Sequence, residues 1–148
     1  MNNKIKIFFC SVIGLSFLFS GCEKEYTDYS IQDLLGTWEF IAFGASDGFL
    51  REVQKYEWQT EDAYTITFHE DTTMTGRSLV NTLAKKFALS GNKISFPWGV
   101  LADAFGETGD PYLFTEALRN VSSFTIEDDQ LKLFYPDKKF LLFNFKTL

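Results

Sequence analysis

The stretch SSFTIEDDQLKLFYPDKKFLLFNF, Ser122 to Phe145, decides the fold class. It holds three short runs rich in β formers: SFTIE, QLKLFY and KKFLLFNF. Asp128-Asp129 separates the first two runs. Pro136-Asp137 precedes the third. Both pairs are tight-turn signals. Tight turns leave no room for a crossover, so these strands run antiparallel to their neighbours.

The same pattern extends towards the amino terminus. KKFAL and KISFPW flank Ser90-Gly91-Asn92, another hairpin turn. In AYTITFHE, Tyr64, Ile66 and Phe68 share one face, while Thr65, Thr67 and His69 share the other. GTWEFIAF, from Gly36, alternates partly and is rich in β formers. One segment breaks the rule. GDPYLFTEALRNV offers Asp110 as N-cap and Pro111 at the first helical position. Phe114, Leu118 and Val121 then recur at helical spacing. The expected fold is therefore mainly β (α+β): an antiparallel, barrel-like sheet with one amphipathic helix near residues 110–121. That helix packs across the sheet or plugs its open end. The preceding GVLADAFGETG reads as a loop.

The first 33 residues are of another kind. Lys4 and Lys6 give a basic start, IFFCSVIGLSFLF is apolar, and Ser20 and Gly21 are small. The apolar run is short of the roughly 20 residues that a spanning helix needs. The order of features is that of a secretory signal. Its end, Leu18-Phe19-Ser20-Gly21-Cys22, resembles the lipobox of bacterial lipoproteins. That resemblance implies cleavage between Gly21 and Cys22 and a diacylglyceryl group on the Cys22 thiol. The expected organisation is a signal over 1–21, a lipidated Cys and polar tether over 22–33, and a β domain over 34–148. The acidic start of the tether also resembles the surface-export signals of some Bacteroidetes lipoproteins. The expected location is the bacterial cell envelope, in the outer membrane, with the periplasmic or surface face left open.

Processing changes the charge. Removing Lys4 and Lys6 from the 14 basic residues leaves 12 against 20 acidic ones, a net charge of about −8. Such a surface argues against nucleic acid, which selects basic patches. It also argues against broad attraction to anionic lipid, so membrane contact falls to the lipid on Cys22. Cys10 leaves with the signal and Cys22 is consumed, so no thiol remains for a disulfide, a redox pair or a metal.

No constellation for catalysis is present. His69 is the single histidine. At a strand end beside Glu70 and Asp71 it reads as a solvated surface residue. No nucleophile elbow, zinc-helix motif or phosphate loop occurs. Glu61-Asp62, Glu70-Asp71 and Glu127-Asp128-Asp129 lie in turn-like polar contexts, whereas a general acid needs an apolar pocket. A weak calcium site at those turns lacks the EF-hand spacing. The expectation is no enzyme, no cofactor and no metal.

LLGTWEF, YTITFHEDTTMTG, Asn81, Phe87, SGNKISF, FTEALRNVSSFTIEDDQLKLFY and LLFNF come in the order seen in the META domain, or HslJ family. The chain resembles that family over nearly all of residues 34–146. The resemblance implies a largely antiparallel, barrel-like fold with one helix, and a theme of stress response and antibiotic tolerance without an assigned activity. The family's Gly-Cys pair is replaced here by Leu79 and Val80, between Gly76 and Asn81. The segment reads as a strand corner, because Gly in a strand marks a bend or a close backbone approach. Gly36-Thr37-Trp38 also resembles the opening motif of lipocalins, although that family's later motif and its terminal Arg are missing.

Two functions follow as expectations. One is a lipid-anchored interaction or envelope-maintenance module working with another envelope protein. The other is a lipocalin-like binder of a small apolar ligand. Aromatic residues make up 18% of the chain. Trp38, Trp58, Trp98 and Phe105 either fill the core or line a cavity. The ligand-binding candidates are Trp38, Trp98 and Phe105, with Trp98, beside Pro97, the foremost.

Overall fold

Gly36 opens a strand that organises the whole domain. The computed structural model describes residues 28–97, 101–102 and 106–147, with the backbone alone for 101–102; Cys22, Trp98 and Phe105 lie outside the described residues. In chain order the elements are α1 (Ile31–Leu34), β1 (Gly36–Gly44), β2 (Leu50–Glu52), β3 (Thr65–Phe68), β4 (Thr73–Arg77), β5 (Thr82–Lys86), β6 (Ala88–Ser90) and β7 (Lys93–Ser95). There follow β8 (Leu101–Ala102), α2 (Asp110–Arg119), β9 (Ser123–Glu127), β10 (Gln130–Tyr135) and β11 (Lys139–Phe145).

All strand pairs are antiparallel, in the order β6-β7-β9-β10-β11-β1-β3-β4-β5-β8, with β2 added to β1. Phe87 alone separates β5 from β6. One continuous run therefore pairs with β4 through its first half and with β7 through its second. That sharing nearly closes the sheet into a barrel. The expected mainly β, barrel-like fold with one amphipathic helix near residues 110–121 is the observed one, with the short α1 added before the barrel.

The quoted meander folds as its turns require. Asp128 and Asp129 sit at φ 48° and 60°, the left-handed geometry of a two-residue hairpin turn. Pro136–Lys138 form a kinked turn in which Asp137 and Lys138 take φ 67° and 57°. Ile66 and Phe68 point inward as the period-2 pattern dictates. β1 departs from that pattern. A register shift against β11 falls between Phe40 and Ala42. Before it, Trp38 and Phe40 face the main core; after it, Phe43 does. Ala42 instead joins Phe140 and Leu142 in a second, outer apolar cluster.

α2 starts one residue differently from expectation. Gly109, at φ 69°, is the N-cap, and Asp110 and Pro111 occupy the first turn. Asp110 is thereby free to accept from Arg51 Nη1 at 2.9 and 3.1 Å and from the Gln54 amide at 3.0 Å. The helix ends at Arg119, two residues short of Val121, yet Phe114, Leu118 and Val121 are all buried. Phe114 lies among Phe40, Tyr64 and Phe143, with ring centroids 4.8, 5.7 and 6.2 Å away. α2 so covers the end of the barrel reached by Gly44. The stretch 99–109, expected as loop, contains β8, which pairs with β5.

Tyr29 and Ile31, expected within the tether, pack on the domain. The Tyr29 hydroxyl donates to the Ile126 carbonyl at 3.2 Å and accepts from the Ile126 amide at 3.1 Å. Its ring lies 4.8 Å from that of Phe124. The Trp38 indole N–H donates to the Leu34 carbonyl at 2.8 Å. The main core runs from Leu34 to Phe143, so residues 28–147 contain a complete core of their own.

Candidate functional site

Hydrogen bonds tie four segments together at the Gly44 end of the barrel. Asp110 joins the start of α2 to Arg51 and Gln54, as above. Glu107 joins the α2 approach to the β4–β5 turn: its carboxylate accepts from the Ser78 hydroxyl at 2.6 Å and the Val80 amide at 3.0 Å. The Tyr64 amide, at the end of the 53–63 connection, donates to the Ser78 carbonyl at 3.1 Å. The β4–β5 turn itself closes through Ser78 N to Asn81 O at 2.9 Å and Asn81 N to Ser78 Oγ at 3.1 Å.

This turn carries Leu79 and Val80, the departure noted in the sequence. The segment is the turn of the β4–β5 hairpin. Leu79 is buried and Val80 is exposed. Gly76, just before it, lies against backbone: a Cβ there would stand 2.3 Å from the Thr65 carbonyl oxygen.

Among the described residues, bulky side chains pack the barrel interior. Trp38, Phe40, Tyr64, Phe68, Phe124 and Phe143 are all at most 2% exposed. Trp38, an expected ligand contact, has its indole N–H bound to Leu34 and its ring edge-on to Phe145 at 5.1 Å. It closes the Gly36 end. Trp58 neither fills the core nor lines the interior. It is 64% exposed and stacks on Tyr56 at 5.2 Å. Trp98 and Phe105 lie outside the described residues.

One interior polar group is unpaired. The Tyr64 hydroxyl is buried without a hydrogen-bond partner among the described residues. Burial pushes its pKa well above the ordinary 10.0, and the nearby charges of Asp110, Tyr56 and Glu107 act the same way. A raised phenol pKa means that the unfolded state ionises first. The stability is therefore intact below about pH 10 and is lost as the pH climbs from there towards the folded pKa. Tyr64→Phe is expected to remove that alkaline loss and to raise neutral-pH stability by about 1 kcal/mol, since an unsatisfied buried hydroxyl is removed. Urea melts of both forms at pH 7 and pH 10.5 check this.

The titratable groups elsewhere serve local structure. His69 Nε2 lies 2.7 Å from Thr75 Oγ1 on the outer face. The Asp71 carboxylate accepts from Thr73 Oγ1 at 2.5 Å and Thr73 N at 3.1 Å, which holds its pKa below the usual value. Among the described residues no three His, Cys, Asp or Glu side chains form a metal-sized group.

The depressions described are surface grooves. One of about 640 Å³ runs beside β2, floored by Ile41, Ala42, Val53 and Leu142 and walled by Leu50. A larger one, about 960 Å³, follows Thr37, Thr67 and Thr75 at the opposite end. Sequence reasoning passed over β2 because three residues carry no readable period. Phe49 and Leu50, directly after the Asp47-Gly48 turn, were the available signal: two bulky apolar residues where a turn predicts polar ones.

The barrel is similar to solved structures. A protein from Burkholderia xenovorans, solved by NMR, superposes with a TM-score of 0.64 at 20% identity, over 83% of this chain and 90% of that one. A DUF4847 family protein from Bacteroides vulgatus superposes with a TM-score of 0.57 at 18% identity, over 80% of this chain and 99% of that one. At such identity the likeness concerns the fold. No protein-family model matches the chain, and no curated protein matches it.

Proposed function

We propose that this chain is a lipid-anchored cell-envelope protein of META type whose β domain is a non-catalytic interaction module. The packed barrel interior carries the reading. Aromatic and aliphatic side chains occupy the space that a carrier would keep for its ligand. The domain therefore works through its outside. The anchor rests on the sequence Leu18-Phe19-Ser20-Gly21-Cys22 and its basic and apolar lead. One acyl chain holds a protein only marginally, and two or more hold it firmly.

The test is expression of the full chain and of Cys22→Ala in a bacterium with two membranes, followed by fractionation and intact-mass measurement. The wild type is expected in the membrane fraction, lacking residues 1–21 and carrying lipid mass. The variant is expected uncleaved or soluble. A variant of mature size that still sediments with membranes overturns the anchor.

A further inference from the structure

We infer that the surface formed by β2 and the 53–63 connection is a docking site for an extended, basic, partly apolar segment of a protein partner. This deepens the interaction reading above and rests on it.

The first observation is where apolar surface is left open. Phe49 and Trp58 are 65% and 64% exposed, and Leu50 is 46% exposed. Leu50 stands at the wall of the groove over Ile41, Ala42, Val53 and Leu142. Exposed bulky side chains beside an apolar groove mark binding surfaces.

The second observation is an open strand edge. β2 pairs with β1 along one side, and among the described residues no strand pairs with the other. A free edge offers backbone N–H and C=O groups to an extended chain. An extended segment can satisfy that edge; a helix cannot.

The third observation chooses the occupant by charge. Among the described residues the arginines and Lys55 of this surface are in ion pairs, and the Lys146 ammonium donates to the Glu61 carbonyl at 2.8 Å. Arg51 pairs with Asp110 and Lys55 with Glu39, both at 2.9 Å, and Arg77 lies 3.8 Å from Asp62. Exposed Glu52, Glu57 and Glu61 are in no ion pair among the described residues. Glu57 adjoins Trp58, whose ring is backed by Tyr56. A π face beside a carboxylate suits an ammonium or guanidinium group. The same charges disfavour the alternatives. A second copy sets carboxylates against carboxylates, and an anionic lipid surface is repelled. β2 itself lies at the Gly44 end, where it pairs with Ala42, Phe43 and Gly44.

The test uses residues 23–148, which contain the whole core, and a labelled nine-residue peptide of mixed lysine and valine. Its glutamate-for-lysine counterpart is the control. Fluorescence anisotropy is expected to show binding of the lysine peptide at least tenfold tighter than of the glutamate peptide, about 1.4 kcal/mol. Leu50→Ser, Trp58→Ala and Glu52→Lys are each expected to weaken it about threefold or more, with thermal midpoints near wild type. Glu70→Lys, on the β3–β4 turn at the far end, is expected to leave binding unchanged. Equal binding of both peptides overturns the inference, as does insensitivity to the three substitutions. So does binding of zwitterionic or anionic vesicles with no peptide preference, which identifies a lipid surface. Dimerisation abolished by Leu50→Ser identifies a second copy and equally overturns it. Native mass spectrometry of the same sample separates this inference from its premise. A small molecule lost on denaturation defeats the interaction reading itself, whereas a clean mass without peptide binding defeats the docking site alone.

Discussion

Gly76→Ala is expected to lower the stability of the domain by about 3 kcal/mol, at the upper end of overpacking costs. The position lacks room for one carbon. An added Cβ meets the Thr65 carbonyl oxygen at 2.3 Å and the Ile66 Cα at 3.0 Å. Both are backbone atoms of the paired strand β3, so neither can rotate away as a side chain would. Relief requires β3 and β4 to separate, and their ladder holds the start of the β4–β5 turn. With a urea slope of roughly 1–3 kcal/mol per molar, the midpoint should fall by about 1 M or more. Gly106→Ala is the control. Among the described residues nothing stands within 4 Å of its Cβ position, and its effect should stay within about 0.5 kcal/mol. Equal midpoints for the two variants would remove the close approach as the reason for glycine at 76.

Phe114→Ala should cost about as much or more, about 3–5 kcal/mol, because truncating a buried aromatic leaves a cavity that its surroundings cannot fill. Phe114 is fully buried and is the ring that α2 inserts against Phe40, Tyr64 and Phe143. Those three sit on β1, at the start of β3 and on β11, so the lost contacts span the barrel. The neighbouring Tyr112, 51% exposed, is the contrast: Tyr112→Ala should stay within about 0.5 kcal/mol. Hydrogen exchange in Phe114→Ala should rise first in α2. A cost under about 1 kcal/mol would mean that the helix merely covers the barrel and does not help to hold it.

How much of this was legible in the sequence depends on length and on period. β9, β10, β11 and α2 were readable because each spans at least five residues and is bounded by turn chemistry. β3 was readable from strict alternation at Ile66 and Phe68. β2 was not, since Leu50–Glu52 are three exposed residues. The bulge in β1 was not either: Ile41, Ala42 and Phe43 are all apolar, so composition cannot tell which of them turns inward. Asp110 misled because an acidic residue before Pro imitates an N-cap. The cap is Gly109, whose positive φ no pattern announces, and the carboxylate is engaged by residues 51 and 54, far away in the chain. Trp58 misled through composition. An aromatic in a small β domain is by default a core residue, and only the three-dimensional stack on Tyr56 turns it outward. The close backbone approach at Gly76 was anticipated, whereas the Glu107 latch on the β4–β5 turn was hidden by a separation of 27 residues from Val80.

Tyr29 also has a mechanical role. A pull on the amino-terminal end of the domain reaches the two hydrogen bonds between its hydroxyl and Ile126 before it reaches any strand ladder. The next resistance is the bond from the Trp38 indole to Leu34. Tension is thus met in sequence by a side-chain bridge on β9 and a ring lodged at the barrel floor. Load applied to the first residues of the domain is therefore expected to meet these side-chain bonds before the barrel ladders.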